Sequence, residues 1–133
     1  MRALVWLART QAAYFTSTGA WALVHIESFM AVTGPKTDVW LVKTVAALLL
    51  ATGLTLFAAA LRLRIPFEIA LLAILTALAL AAIDLGYTAA GTIRWVYALD
   101  GITETALALA WVAALWRARH DARTWGRSAP GNE

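Results

Sequence analysis

The chain is 133 residues long, and 62% of them are hydrophobic against 14% charged, where soluble globular domains average about 45–50% and about 25%. That balance points to a lipid bilayer, and the 11 basic residues against 8 acidic ones lie at the ends of apolar segments, a pattern of membrane topology rather than of nucleic-acid binding. With no cysteine, disulfides, thiolate catalysis and thiolate metal sites are excluded.

The first apolar stretch runs over 4–31, longer than the roughly 20 residues a bilayer needs, so Trp6 and Arg9 are expected at its interface. Arg9 also cuts the opening run too early for a signal-peptide core, and the N-terminus is expected to be retained. Gly34 and Pro35 end this helix. Thr37 or Asp38 can cap a second helix over 38–63, closed by Arg62 and Arg64. Pro66 suits the first turn of a third helix over 66–88, and Glu68 suits the positive end of its dipole. A link containing Gly91 and Thr92 leads into a fourth over 94–117. Residues 119–133 read as a polar, frayed cytoplasmic tail.

Four spans with links this short must alternate, so both termini fall on one side. Arg2, Arg9, Arg62, Arg64, Arg117, Arg119, Arg123 and Arg127 share that side, against Lys36, Lys43 and Arg94 on the other. The positive-inside rule makes the terminal side cytoplasmic. The expected fold is therefore all-α: a four-helix transmembrane bundle over 1–118 with up-down topology, both termini cytoplasmic, in a bacterial inner membrane. Trp40, Tyr87, Trp95 and Tyr97 are expected at the outer interface, and Trp6, Phe67 and Trp116 at the inner one. Small residues recur at spacing four and are the expected contact faces: Ala47, Ala51, Thr55 and Ala59, then Ala73, Ala77 and Ala81, then Ala106, Ala110 and Ala114.

Depth follows from about 1.5 Å of rise per residue. Glu104 lies about 15 Å below Arg94, near the middle of a roughly 30 Å core, and Asp100 is one turn shallower on the same face. His25, Glu27, Asp84 and Lys43 also belong to the outer half, whereas 48–61 and 71–80 carry no charge. A carboxylate in hydrocarbon costs several kcal/mol, so these groups must face each other, take up protons or line a water-filled recess. The expectation is an outward-opening acidic pocket. In it Glu104 and Asp100 are the exchangeable acids, Asp84 is their gate-side partner, His25 and Glu27 are further ligand- or proton-binding groups, and Lys43 is an internal counter-ion. Trp21 and Tyr97 line it, with Lys36, Asp38, Trp40 and Arg94 at the outer loops. The same polar groups could instead pair only with one another, Lys43 with Asp100 or Asp84 and His25 with Glu27 or Glu104, and merely fix how the helices pack.

No cofactor or metal site is expected. His120 is at the opposite end from His25, which removes a bis-histidine haem, and nitrogen ligands are too few for most metal clusters. No phosphate loop, nucleophile elbow or dinucleotide fingerprint is present. Three readings stand: binding or transport of a small cation or amphiphilic solute, with proton coupling as an option and at least a dimer if it transports; a non-catalytic accessory or assembly subunit of a membrane complex; and an intramembrane lipid-modifying enzyme with Asp100 and Glu104 as acid and base. The corresponding partners are the bilayer, a small polar or cationic ligand, and a second copy or another membrane protein, with no nucleic acid.

Residues 32–44, Val-Thr-Gly-Pro-Lys-Thr-Asp-Val-Trp-Leu-Val-Lys-Thr, preceded by Trp21, His25 and Ser28, resemble the VTGPKTDxWLVKT-type segment of a family of small bacterial four-span membrane proteins. The resemblance covers most of the chain and implies membrane location; it carries no activity across. In outline the chain is also similar to the DoxX-like group and to the sigma-2 receptor and sterol-isomerase group, whose pockets use intramembrane acids, an analogy of architecture alone.

Overall fold

The stretch expected as one helix over 4–31 is broken at His25. In the computed structural model, which describes residues 2–127 with the side chains of 122–127 excepted, the helices are α1 Arg2–Val24, α2 Ile26–Thr33, α3 Val39–Leu61, α4 Phe67–Ala89 and α5 Val96–Arg127. His25 leaves the helical region (φ −140°, ψ 69°) and caps α2. Its Nδ1 accepts from the Ser28 N–H at 3.3 Å, and Ser28 Oγ donates to the His25 carbonyl at 3.1 Å. Trp21 Nε1 spans the break to Ser28 Oγ at 2.8 Å, and its ring meets Phe29 edge-on at 5.4 Å. A capping side chain that offers the backbone an alternative partner is enough to interrupt the helix, without Pro or Gly.

Among the described residues, three helices are long and apolar enough to cross a membrane: Val39–Leu61, Phe67–Ala89 and, within α5, Val96–Asp121. α1 is also 23 residues long, but Thr10, Gln11, Thr16, Ser17 and Thr18 dilute its hydropathy and it is not among them. The face it buries carries Ala8, Gln11, Ala12, Phe15, Gly19 and Ala22, and α1 touches all four other helices.

Glycines set the closest approaches. A Cβ on Gly53 would stand 2.5 Å from Thr16 Oγ1 and 2.9 Å from the Thr16 nitrogen, and one on Gly19 would stand 2.5 Å from the Ala46 carbonyl oxygen. α1 and α3 thus pack antiparallel, backbone against backbone. The buried stripe of α3 is Ala46, Gly53, Leu56 and Ala60, one position away from the expected Ala47, Ala51, Thr55 and Ala59; Ala47, Ala51 and Thr55 are exposed. On α4 the expected Ala73, Ala77 and Ala81 are buried, and Ala70 and Asp84 extend their row. On α5, Ala106 is exposed and Ala110 and Ala114 are half-buried, while Gly101, Glu104, Leu107, Ala108 and Trp111 are buried.

α5 lies antiparallel to α4, and the backbones of α3 and α5 stay apart among the described residues, although Leu56 and Trp111 belong to one apolar cluster. At one end of the bundle Leu4, Val5, Leu56, Ala70 and Trp111 form the apolar core, and there Ala3 and Leu4 share a recess with Ala113 and Arg117. Asp38 takes the N-cap position of α3, but its side chain makes no capping bond. α5 continues past 117, where the sequence suggests its end, to Arg127. Of the tail expected over 119–133, residues 128–133 lie outside the described residues.

Candidate functional site: a buried acid cluster behind an aromatic cleft

Asp100 and Glu104 are one turn apart on α5 and so share a face. Between them Gly101 allows α4 to come close: a Cβ there would meet Leu85 Cγ at 2.7 Å and Asp84 Cβ at 3.3 Å. That contact brings Asp84 to the two acids of α5. The Asp84 and Asp100 carboxyl groups lie within hydrogen-bonding reach of each other, and both act electrostatically on Glu104. Tyr14 of α1 completes the group by donating its hydroxyl to Asp100 Oδ1. Asp84 is 6% exposed and Glu104 1%. One oxygen of each, Asp84 Oδ2 and Glu104 Oε2, has no hydrogen-bond partner, and neither has Thr88 Oγ1, one turn along α4.

A cleft of about 270 Å³ reaches Asp100 from between α1, α2 and α5. Tyr14, Trp21, Phe29 and Tyr97 wall it, and Val32, Leu99 and Thr103 form an exposed rim. Deeper in the bundle a second polar layer differs in kind. Trp111 Nε1 donates to Gln11 Oε1 at 2.7 Å, and Gln11 Nε2 donates to the Ala73 carbonyl at 3.0 Å. Both ends of the buried amide are used, so this layer ties α1, α4 and α5 together with no polar atom left over.

Above the cleft, Arg94 Nη1 donates to the carbonyls of Ala31 (3.1 Å) and Val32 (3.5 Å) near the end of α2, where a cation suits the negative end of the dipole. Its side chain also covers Gly34, whose φ of +97° favours glycine. Lys36 Nζ donates to the Thr33 carbonyl at 3.1 Å and sits 4.9 Å from the centre of the Tyr97 ring. Asp38 and Trp40 are exposed.

The structure gathers Asp84, Asp100 and Glu104, lines the approach with Trp21 and Tyr97, and does not bring His25, Glu27 or Lys43 to them. His25 is exposed and spent on capping α2. Glu27 is exposed in the first turn of that helix, where its charge meets the positive end of the dipole. Lys43 is exposed on α3, and the charged groups acting on Asp84 and Glu104 are the neighbouring acids rather than Lys43. Tyr14 and Gln11 are the residues sequence reasoning missed. They stand three apart on α1, and a glutamine followed one turn later by a tyrosine in an apolar helix was the available signal.

No family model, curated protein or solved structure matches the chain. Its chemistry must be read from its own residues. Among those described, no three His, Cys, Asp or Glu side chains converge closely enough to hold a metal ion. The arrangement can instead hold protons on carboxyl groups and meet a single positive group presented at Asp100.

Proposed function

We propose that this is a four-span protein of a bacterial inner membrane whose acid cluster binds a small cation in exchange for protons carried by Asp84, Asp100 and Glu104. The observation that carries the reading is the pair of buried carboxyl oxygens, Asp84 Oδ2 and Glu104 Oε2, left without partners. A polar network that serves only packing satisfies its atoms, as Gln11, Trp111 and Ala73 do a few turns away. Carboxylates gathered out of water need protons or a cation for charge balance. The inward face of α1 supports its role as the fourth span, and the arginine distribution supports cytoplasmic termini. Gln11 and Trp111 fill the space below the acids, so one copy makes a binding site, and transport would need at least two.

The test is the melting temperature of the detergent-purified protein from pH 5 to 9 with a panel of amines and inorganic cations, beside Glu104→Gln. A cation that binds only the folded state raises melting by mass action. A rise in the wild type that Glu104→Gln abolishes supports the reading; no rise with any cation counts against it.

One observation favours a second reading, an accessory subunit of a membrane complex. α3 presents Ala47, Ala51 and Thr55 outward at spacing four, a surface that suits a closely packed partner helix. Co-purification with a larger complex from mild detergent is its expected result.

A further inference from the structure

Resting on the cation-binding reading of the acid cluster, we infer that the occupant is an alkylated ammonium with an apolar arm, taken sideways from the bilayer through the opening between α2 and α5. The cleft that reaches Asp100 has that one charged side chain, and its walls are the rings of Tyr14, Trp21, Phe29 and Tyr97. A small inorganic cation needs several oxygens to replace its water. The cleft does not gather them, and no described trio of acids or histidines could hold a metal ion. An alkylated ammonium carries a diffuse, weakly hydrated charge, and the negative faces of aromatic rings attract it while a carboxylate balances it. Lys36 Nζ lies 4.9 Å from the Tyr97 ring centre, so the protein's own ammonium already engages that ring, and Tyr14, Trp21 and Phe29 are the rings left for an incoming cation.

The shape of the opening argues for the apolar arm. Leu99 and Thr103 stand four apart on one face of α5, both are exposed, and both form the rim together with exposed Val32. Thr103 is seven residues into α5, about 10 Å along its axis, so the mouth runs down the side of the helix rather than only across its end. Trp95 and Ile102 beside it are 71% and 60% exposed, as lipid-facing residues are. The head of such a ligand fits: a cavity of about 150 Å³ accepts benzene, and this cleft has about 270 Å³.

The experiment is isothermal titration of the whole protein in a neutral detergent with benzyltrimethylammonium, tetramethylammonium and neopentylbenzene, the uncharged isostere of the first. Benzyltrimethylammonium is expected to bind about 10-fold or more tightly than either of the others. Asp100→Asn should abolish that binding, and Phe29→Leu and Trp21→Leu should each weaken it about 5-fold. Because those rings also pack on each other, Leu99→Trp provides the control: it adds bulk at an exposed rim position, should leave melting unchanged and should block the cleft. Binding that depends on Asp100 but ignores Phe29→Leu and Leu99→Trp overturns the inference and leaves the acid-cluster reading intact. Binding of tetramethylammonium with equal or higher affinity, still lost in Asp100→Asn, does the same. Absence of binding by every cation overturns both.

Discussion

The Tyr14 hydroxyl donates to Asp100 Oδ1 and so ties α1 to α5 at the level where the acids gather. Asp100 is half-buried, and losing this donor leaves its carboxyl with one fewer partner in a place water reaches poorly. Tyr14→Phe is expected to lower stability by about 1 kcal/mol. A double-mutant cycle with Asp100→Asn should show a coupling of about 0.5–1 kcal/mol between the two positions, measured by thermal melting in detergent. Strictly additive effects would mean that the hydrogen bond does not hold the two helices together.

The acids themselves should behave in the opposite way. Asp100 acts on both Asp84 and Glu104, and Asp84 acts on Glu104 as well, so the groups acting on these two buried acids are themselves acids. Glu104→Gln or Asp84→Asn keeps the shape and removes one of the gathered charges, so neither is expected to lower the melting temperature, and at pH 8 or 9 each should raise it. A loss of more than about 1 kcal/mol would mean that the carboxylate has a stabilising cation beside it.

Hydropathy makes the three most apolar helices legible, and the four-residue spacing of Asp100 and Glu104 is enough by itself to put them on one helix face. The rotation of α3 was not legible, because a helix that is apolar on every side has no preferred face. Gly53 decides it, by admitting the α1 backbone at Thr16, and an alanine count points one residue away. Lys43 misled for a related reason: a charge in an apolar run shows that the side chain needs water or a partner, without saying in which direction it finds one. α1 was hard to read because its polar residues serve two ends. Gln11 and Tyr14 turn inward, whereas Thr10 and Ser17 are exposed. His25 gave a weak signal for the break, visible only in its spacing of three from Ser28.

The glycine contacts predict a sharp contrast within one residue type. Gly53→Ala forces a methyl group against the backbone of Thr16 and Ala12, at 2.9 and 3.1 Å, neither of which can rotate away. It is expected to cost about 1–3 kcal/mol. Gly86→Ala meets nothing within 4 Å and replaces a poor helix former, so it should be neutral or stabilise by up to about 1 kcal/mol. Melting temperatures of the two variants should therefore move apart; equal changes would mean that α1 and α3 do not touch at Gly53.

The Gln11 layer makes a prediction about compensation. In Gln11→Leu the buried Trp111 N–H loses its partner, while the Ala73 carbonyl, inside α4, loses only the bond it accepts beyond its helical one. The expected cost is about 2 kcal/mol or more, the penalty of stranding a buried donor. Trp111→Phe alone strands Gln11 Oε1 and opens a small void. The double variant removes both members of the stranded pair, so its cost should fall short of the sum of the singles. Full additivity would show that the two side chains are not bonded.

The absence of native cysteine makes the topology directly measurable, because any introduced thiol is the sole labelling site. Ala3, Thr37, Arg64, Thr92 and His120 are all exposed, and each lies at or near a helix end. With four spans, cysteines at Ala3, Arg64 and His120 label from the cytoplasmic face, and those at Thr37 and Thr92 label only from the outside. The three most apolar helices alone would put Thr37 and Thr92 together and Arg64 opposite, so those positions test only α3 and α4. Ala3 discriminates. If α1 lay along the membrane surface, Ala3 would label with Thr37. Yet Ala3 shares a recess with Ala113 and Arg117 at the far end of α5, and α1 can reach it only by running the length of the bundle. Labelling of Ala3 from the cytoplasmic side is the expected result, and labelling from the outside would require α1 to leave its packing against α3 and the acid cluster to lose Tyr14.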